Sequence, residues 1–139
     1  MRVELQRTDD AFHFEAVGTE GVKVDVDGSR NIGAAGNGAR PMELILMGLG
    51  GCSAIDVILI LKKQRQVIED LKIVVDGERV EETPSIFRTI QMDFQFKGQL
   101  DHEKVKRAIQ LSVEKYCSVY AMLAETADIT HTFSINGGK

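Results

Sequence analysis

The feature that most constrains this chain is an apolar run over residues 41–61. A proline opens the run, and proline suits the first turn of a helix because its missing N–H needs no partner there. From residue 44 onward the side chains are apolar or small on every side, interrupted only by Cys52, Ser53 and Asp56. A surface helix would show one apolar stripe, so the sequence predicts a helix that is buried all round. A chain of 139 residues has difficulty covering such a helix alone, which favours a partner subunit.

The same run is long enough to be weighed as a membrane span, for which about 18 apolar residues is the usual threshold. Asp56 lies inside the run, and a charged side chain near the centre of a bilayer costs at least ~2.5 kcal/mol. The run also contains Gly48, Gly50 and Gly51, which are poor helix formers and predict the close approach of another backbone just before Cys52. The sequence therefore predicts a core helix and no membrane partner.

Composition limits the classes of function. The chain has 43% hydrophobic residues, 27% charged residues and a formal net charge of −4. These values predict one globular domain over residues 1–139, and the lack of a basic patch argues against nucleic acid as a partner. No signal peptide is expected, and two cysteines in such a chain indicate a reducing cytoplasm. The two cysteines and three scattered histidines lack the spacing of a zinc site, so neither a metal ion nor a bound cofactor is expected.

Alternation of apolar and polar residues predicts six β-strands. Three short, half-buried strands precede the central helix, a long antiparallel hairpin follows it, and one strand comes last. A turn signal at residues 27–31 leads into a glycine-rich connection over residues 32–40, which is expected to be a flexible linker. The strands are expected near residues 3–5, 12–16, 22–26, 71–75, 86–96 and 129–135.

Two shorter helices are predicted between the hairpin and the last strand. Asp101 suits the N-cap of a helix over about residues 102–115, and Cys117 begins a second helix that runs through Ala124. The resulting order is β-β-β-α-β-β-α-α-β, which defines an α+β protein. His131 falls on the apolar face of the last strand, where a core or edge histidine is the expected interpretation.

Cys52 and Cys117 are the side chains from which redox chemistry is expected. The start of a helix stabilises a thiolate, so Cys117 has a reason to be reactive. Cys52 lies within the apolar helix, where burial and the carboxylate of Asp56 one turn later would both raise the pKa of its thiol. The two cysteines have no CxxC spacing, and an inert core residue remains an open interpretation of Cys52.

Two strings of residues carry a family resemblance. The first runs from Pro41-Met-Glu-Leu to Gly51-Cys52-Ser, and the second is Glu114-Lys-Tyr-Cys117-Ser-Val. Both resemble strings of the OsmC/Ohr family, in particular its YhfA-like branch. The resemblance implies an OsmC-like fold: an intertwined homodimer in which two central helices are wrapped by the sheets of both subunits. It also implies thiol-dependent reduction of organic hydroperoxides, with Cys52 as the peroxidatic cysteine, Cys117 as the resolving cysteine and a thiol or lipoyl-type electron donor as external reductant.

One position departs from the pattern of the family's peroxidases, which carry a glutamate directly after the helix-opening proline and pair it with an arginine. Here Met42 follows the proline, and Glu43, one place later, is turned by about 100° around the helix. Arg30 and Arg40 are the candidate arginines. The departure keeps a second hypothesis open, namely a non-enzymatic homodimer of the same fold that binds a small hydrophobic ligand at the dimer interface.

Overall fold

A computed structural model describes residues 1–138 and confirms the predicted order of strands and helices. The chain forms two compact units, Met1–Ile45 and the remainder from Leu46, and the long helix begins in the first and continues in the second. The single domain expected over residues 1–139 stays a prediction. In chain order the elements are β1 (Glu4–Arg7), β2 (Phe14–Val17), β3 (Lys23–Val26), α1 (Pro41–Lys63), β4 (Asp70–Arg79), β5 (Phe87–Lys97), α2 (His102–Leu111), α3 (Ser118–Leu123) and β6 (Asp128–Ile135).

The first unit contains an antiparallel sheet in the order β1-β2-β3. The expectation that all three strands are half-buried is wrong for β1 and β3: Leu5 is 56% exposed, and Val24 is 41% exposed. Only Ala16, on the middle strand, is buried. Alternation determines which side chains share a face of a sheet, but it does not supply a layer that covers that face.

The segment between β3 and α1 contains a buried carboxylate with hydrogen bonds to the backbone. Asp27 is 1% exposed, and its two carboxylate oxygens accept hydrogen bonds from the backbone N–H groups of Gly28 (2.8 Å) and Asn37 (2.9 Å). These bonds join the two ends of the connection. The flexibility expected of the connection over residues 32–40 stays a prediction.

The central helix α1 is not buried all round in the single chain. Its buried residues recur at helical spacing and form one stripe, Leu49, Gly50, Ser53, Val57 and Leu61. Other apolar side chains of the helix remain open, including Ile55 (61% exposed) and Leu59 (52% exposed). The prediction of complete burial is therefore wrong for one chain, because the layers that one chain supplies cover only one side of the helix.

The sequence predicts that another backbone approaches the glycines of α1. Among the described residues of this chain, no such backbone lies close to Gly48, Gly50 or Gly51. A Cβ at Gly50 would lie 3.2 Å from Cγ2 of Val75, which is a side chain. A Cβ at Gly48 or Gly51 would have no described neighbour within 4 Å, so both positions face open space. α1 is also the one helix of the described residues that is long and apolar enough to cross a membrane, by length and composition only.

The second unit contains a sheet in the order β4-β5-β6. β4 and β5 form the predicted antiparallel hairpin, while β6 pairs with β5 in parallel. A parallel pair needs a crossover connection, and the segment carrying α2 and α3 provides it. Alternate residues of β5 form the centre of the core, and they are Ile90, Met92, Phe94 and Phe96.

Helix α2 begins as predicted and ends earlier. The side chain of Asp101 accepts a hydrogen bond from the backbone N–H of Lys104 (3.0 Å), which confirms the N-cap. The α-helix ends at Leu111, and a π-helical turn, Ser112–Tyr116, replaces the last part of the predicted helix. This wider turn closes with a hydrogen bond from the N–H of Cys117 to the carbonyl of Ser112 (2.8 Å). It sets the position from which Cys117 enters α3.

Candidate thiol site

The structure brings together Cys52 and Cys117, which are far apart in the sequence. Cys52 lies in the middle of α1 and is half-buried, and Cys117 is the buried N-cap of α3. The two sulfur atoms and a carboxylate oxygen of Asp56 all lie within 4.8 Å of one another. Both cysteines are free thiols. A disulfide needs a sulfur–sulfur distance of about 2.05 Å, so the sulfurs have to approach further before they can form one.

Two hydrogen-bond donors lie at the sulfur of Cys117, which is 3% exposed. The hydroxyl of Ser53 donates to it at 3.3 Å, and the backbone N–H of Tyr120 donates at 3.4 Å. Burial raises the pKa of the Cys117 thiol, while the Ser53 hydroxyl and the Tyr120 N–H lower it and the neighbouring Cys52 raises it. The Tyr120 N–H at the helix start thus acts in the expected direction, but burial outweighs both donors and the pKa of Cys117 lies above its ordinary value.

Asp56 is the residue of this site whose role the sequence does not reveal. It lies one turn after Cys52 on α1 and is half-buried, and its Oδ2 accepts a hydrogen bond from the hydroxyl of Ser112 at 3.3 Å. Ser112 itself is fully buried at the start of the π-helical turn. Within residues 46–138, none of the ion pairs joins a lysine, arginine or histidine to Asp56. The spacing of Cys52 and Asp56 was the available signal, and it predicted only an effect on the Cys52 thiol.

A pocket of about 320 Å³ lies beside this cluster, and Asp56 belongs to both. The side-chain oxygen of Gln64 is buried in the wall of the pocket without a hydrogen-bond partner among the described residues. Most of the other wall residues are apolar or carry an apolar stem. The full lining consists of Asp56, Leu59, Ile60, Lys63, Gln64, Leu111 and Tyr116.

The remaining residues considered from the sequence have structural or surface roles. The backbone N–H of Arg40 donates to Oε1 of Glu43 at 3.1 Å, and the two side chains approach to 3.9 Å. Glu43 thus caps the start of α1. Arg30 is exposed, and its guanidinium lies over Gly36 in the connection before α1. His131 is exposed on β6, an outer strand of its sheet, which agrees with an edge position and not with a core one.

The fold and the cysteine strings are those of a known class of protein. The profile of the family described as "OsmC-like protein" matches residues 33–132, and the chain belongs to this family. Protein YhfA of Escherichia coli strain K12 is 47% identical over 96 residues, which cover 68% of this chain and 72% of YhfA. This similarity places the chain in the YhfA-like branch of the family. One long apolar helix, such as α1, is weak evidence for a membrane span.

Solved structures show the same fold over the whole chain. A hypothetical protein from Aquifex aeolicus VF5 is 33% identical and superposes with a TM-score of 0.82, covering 97% of this chain and 96% of that one. An organic hydroperoxide resistance protein OsmC from Legionella pneumophila superposes with a TM-score of 0.71, covering 96% of this chain and 95% of that one. The Legionella protein is 16% identical, which shows a common fold alone.

Proposed function

We propose that this protein is a thiol-dependent peroxidase that reduces organic hydroperoxides, with Cys52 as the peroxidatic cysteine and Cys117 as the resolving cysteine. The observation that carries the proposal is the position of two free thiols from distant segments with their sulfurs within 4.8 Å. Half-buried Cys52 is the more accessible thiol and Cys117 is buried, which suits an attacking and a resolving role respectively.

The proposed reaction has three steps: attack on the hydroperoxide, formation of a disulfide, and reduction of that disulfide. The thiolate of Cys52 attacks the terminal oxygen of the hydroperoxide, the O–O bond breaks, and the alkoxide leaves and takes a proton to become the alcohol. The thiolate of Cys117 then attacks the sulfur of the Cys52 sulfenic acid, and an S–S bond forms as hydroxide leaves and is protonated to water. Two thiol groups, from one dithiol donor or from two molecules of a small thiol, reduce this disulfide to two thiols and are themselves joined in a disulfide. The donor is proposed to be a small thiol or a lipoyl-type group in the cytoplasm.

The pocket beside the thiols supports an organic substrate. Leu59, Ile60 and Leu111 offer an apolar wall to the carbon part of a hydroperoxide, and Asp56 lies where the pocket meets the cysteines. The Legionella protein of the same fold is described as an organic hydroperoxide resistance protein. Met42, which follows the opening proline of α1, means that this chain would have to activate Cys52 without a glutamate at that position.

We further propose a homodimer as the working unit. Apolar side chains along α1 remain exposed, and a second copy of the same helix would cover them. Gly48 and Gly51, which face open space in one chain, would allow two helices to approach closely. The exposed apolar residues of α1 are Ile45, Met47, Ile55, Ile58 and Leu59.

The first test is a count of free thiols in the fully reduced protein after one equivalent of cumene hydroperoxide, followed by intact mass. The expected result is the loss of two thiols per chain with the loss of two hydrogens. Cys52→Ser should abolish consumption of the hydroperoxide, and Cys117→Ser should stop at the sulfenic acid or a higher oxide of Cys52. The matched control is Ser118→Ala, which leaves both thiols in place and should behave as the parent. Two thiols still free after minutes would contradict the proposal.

The pocket favours a second candidate function, a non-enzymatic protein that binds a small hydrophobic ligand. The specific observation is the mostly apolar wall of the pocket of about 320 Å³, to which Leu59, Ile60 and Leu111 contribute. Native mass spectrometry of the gently purified protein should then show a retained molecule, and Leu111→Glu, which places a charge in this wall, should release it. An empty protein whose melting temperature does not change across a panel of lipophilic ligands would exclude this candidate.

A further inference from the structure

The carboxylate of Asp56 lies beside the cysteine pair and has no part in the proposed peroxidase chemistry. Two steps of that reaction need only the sulfurs of Cys52 and Cys117, yet a carboxylate oxygen of Asp56 lies within 4.8 Å of both. Asp56 therefore adds a carboxylate oxygen to two sulfur atoms, and these are three atoms of the kinds that bind metal ions.

We propose that Cys52, Asp56 and Cys117 form a binding site for a thiophilic divalent cation of the zinc type. Cysteine thiolates and aspartate carboxylates are both ligands of Zn²⁺, and three protein ligands leave the fourth position to a water molecule or a substrate. This site is a different function of the same three side chains and does not depend on the proposed reduction of hydroperoxides.

The geometry suits a tetrahedral metal ion. Zinc–sulfur bonds of about 2.3 Å and zinc–oxygen bonds of about 2.1 Å place neighbouring ligand atoms roughly 3.5–3.8 Å apart. In this chain the three ligand atoms lie within 4.8 Å of one another, so a contraction of about 1 Å is enough to close the shell. Cys52 and Asp56 are one turn apart on α1, and Cys117 approaches from the start of α3, so two elements fix the site.

The surroundings provide an outer shell of hydrogen-bond donors. The buried hydroxyl of Ser53 donates to the sulfur of Cys117, and the buried hydroxyl of Ser112 donates to the carboxylate of Asp56. Such donors orient metal ligands and stabilise their anionic forms. Within residues 46–138, none of the ion pairs gives Asp56 a cationic partner, so a bound cation would fill that role.

The sequence predicts no metal ion because its cysteines and histidines lack the spacing of a zinc site, whereas the third proposed ligand is an aspartate. Binding would release the thiol protons to solvent, and no electrons would be transferred. A metal held by both thiolates would protect them from hydroperoxide, whereas oxidation of the pair to a disulfide would expel the metal. The site would then exist in either a metal-bound or a disulfide form.

The test is a titration of the reduced, tag-free and metal-free protein with Co²⁺ under nitrogen, followed by displacement with Zn²⁺. The expected result is one Co²⁺ per chain, with an intense near-ultraviolet thiolate-to-cobalt band and visible bands of tetrahedral cobalt. Native mass spectrometry should show one zinc per chain after displacement. The absence of the thiolate band at equimolar protein and Co²⁺ would overturn the proposal.

Variants separate the three ligands. Cys52→Ser and Cys117→Ser should each weaken Co²⁺ binding by at least ~10-fold and remove much of the near-ultraviolet band. Asp56→Asn should weaken binding by at least ~10-fold while both thiols still titrate. Glu69→Gln, at an exposed acidic residue, is the matched control and should bind as the parent. Unchanged binding by Asp56→Asn would overturn the three-ligand site.

If a variant fails to fold, the parent protein still tests the proposal, because its reduced and oxidised forms can be compared. Parent protein oxidised with diamide, which converts dithiols to disulfides without hydroperoxide, should bind no Co²⁺ and should recover binding after reduction. Equal binding before and after this oxidation would overturn the proposal. Failure of the peroxidase proposal would give a different result from failure of the metal site. The cobalt band would form, but the metal-free protein would keep both thiols in the presence of cumene hydroperoxide.

Discussion

At the scale of single residues, Asp27 shows how one buried carboxylate binds the backbone of the connection before α1. Its pKa lies below the ordinary range, chiefly because the backbone N–H of Asn37 donates to the carboxylate, with a further contribution from Gly28, while burial opposes the shift. An aspartate in the unfolded chain titrates near pH 3.9. Because the folded-state pKa is the lower of the two, the stabilisation by Asp27 is present above about pH 4 and is lost as the pH falls through the folded-state value.

The lowered pKa of Asp27 predicts how Asp27→Asn changes stability. The amide offers one oxygen, so its NH₂ group would face the N–H of Gly28 or of Asn37, and the variant should unfold at a lower urea concentration at pH 7. It should also lose less stability than the parent between about pH 4 and the acid limit, because it cannot be protonated there. Urea unfolding at a series of pH values measures both effects. Asp10→Asn, at an exposed aspartate, is the control, and parallel curves for parent and Asp27→Asn would contradict the prediction.

Ser53 should tune the resolving thiol directly. Its hydroxyl is fully buried and donates to the sulfur of Cys117, which lowers the pKa of that thiol. Ser53→Ala removes the donor, so the pKa of Cys117 should rise and less thiolate should form at neutral pH. The measurement is a pH titration of the ultraviolet thiolate absorbance in a Cys52→Ser background, where Cys117 is the one remaining cysteine. Ser118→Ala is the control, and an unchanged titration curve for Ser53→Ala would refute the role.

At the scale of elements, the sequence predicts the order of strands and helices because each has a local signal. The alternation along β5 and the side chain of Asp101 before α2 are contained within a few residues. The π-helical turn Ser112–Tyr116 has no such signal, and an apolar face continues smoothly from α2 toward it. The predicted helix therefore extends to residue 115, whereas α2 ends at Leu111 and a π-helical turn leads to Cys117.

The cap of α2 allows a quantitative prediction. Asp101→Ala should lower the free energy of unfolding by about 1 kcal/mol, because the backbone N–H of Lys104 loses its acceptor at the helix start. Asp101→Ser keeps a capping oxygen and should stay within a few tenths of a kcal/mol of the parent. Urea unfolding with unchanged m-values measures both differences. An equal loss in the two variants would assign the effect to another interaction of the aspartate.

At the scale of the whole molecule, the sequence predicts which side chains are apolar and not what covers them. The sequence identifies Cys52, Asp56 and Cys117 as separate candidates. The approach of their reactive atoms to within 4.8 Å depends on the packing of α1 against the segment that enters α3. Long-range contacts of this kind have no local pattern. The family resemblance supplied the cysteine pair because related chains share the fold, whereas Asp56 as a third member became visible only in three dimensions.

The exposed side of α1 leads to the last prediction, which concerns the assembly. If a second copy covers this side, Ile55→Glu would bury an unpaired carboxylate in the interface, and dissociation should become at least ~100-fold easier. Val67→Glu is the matched control, because Val67 is even more exposed, at 75%, and lies after the helix has ended. Sedimentation equilibrium should show a dimer for the parent and Val67→Glu and a monomer for Ile55→Glu. A monomeric parent at micromolar concentration would show that the open apolar side of α1 is not an interface between copies of this chain.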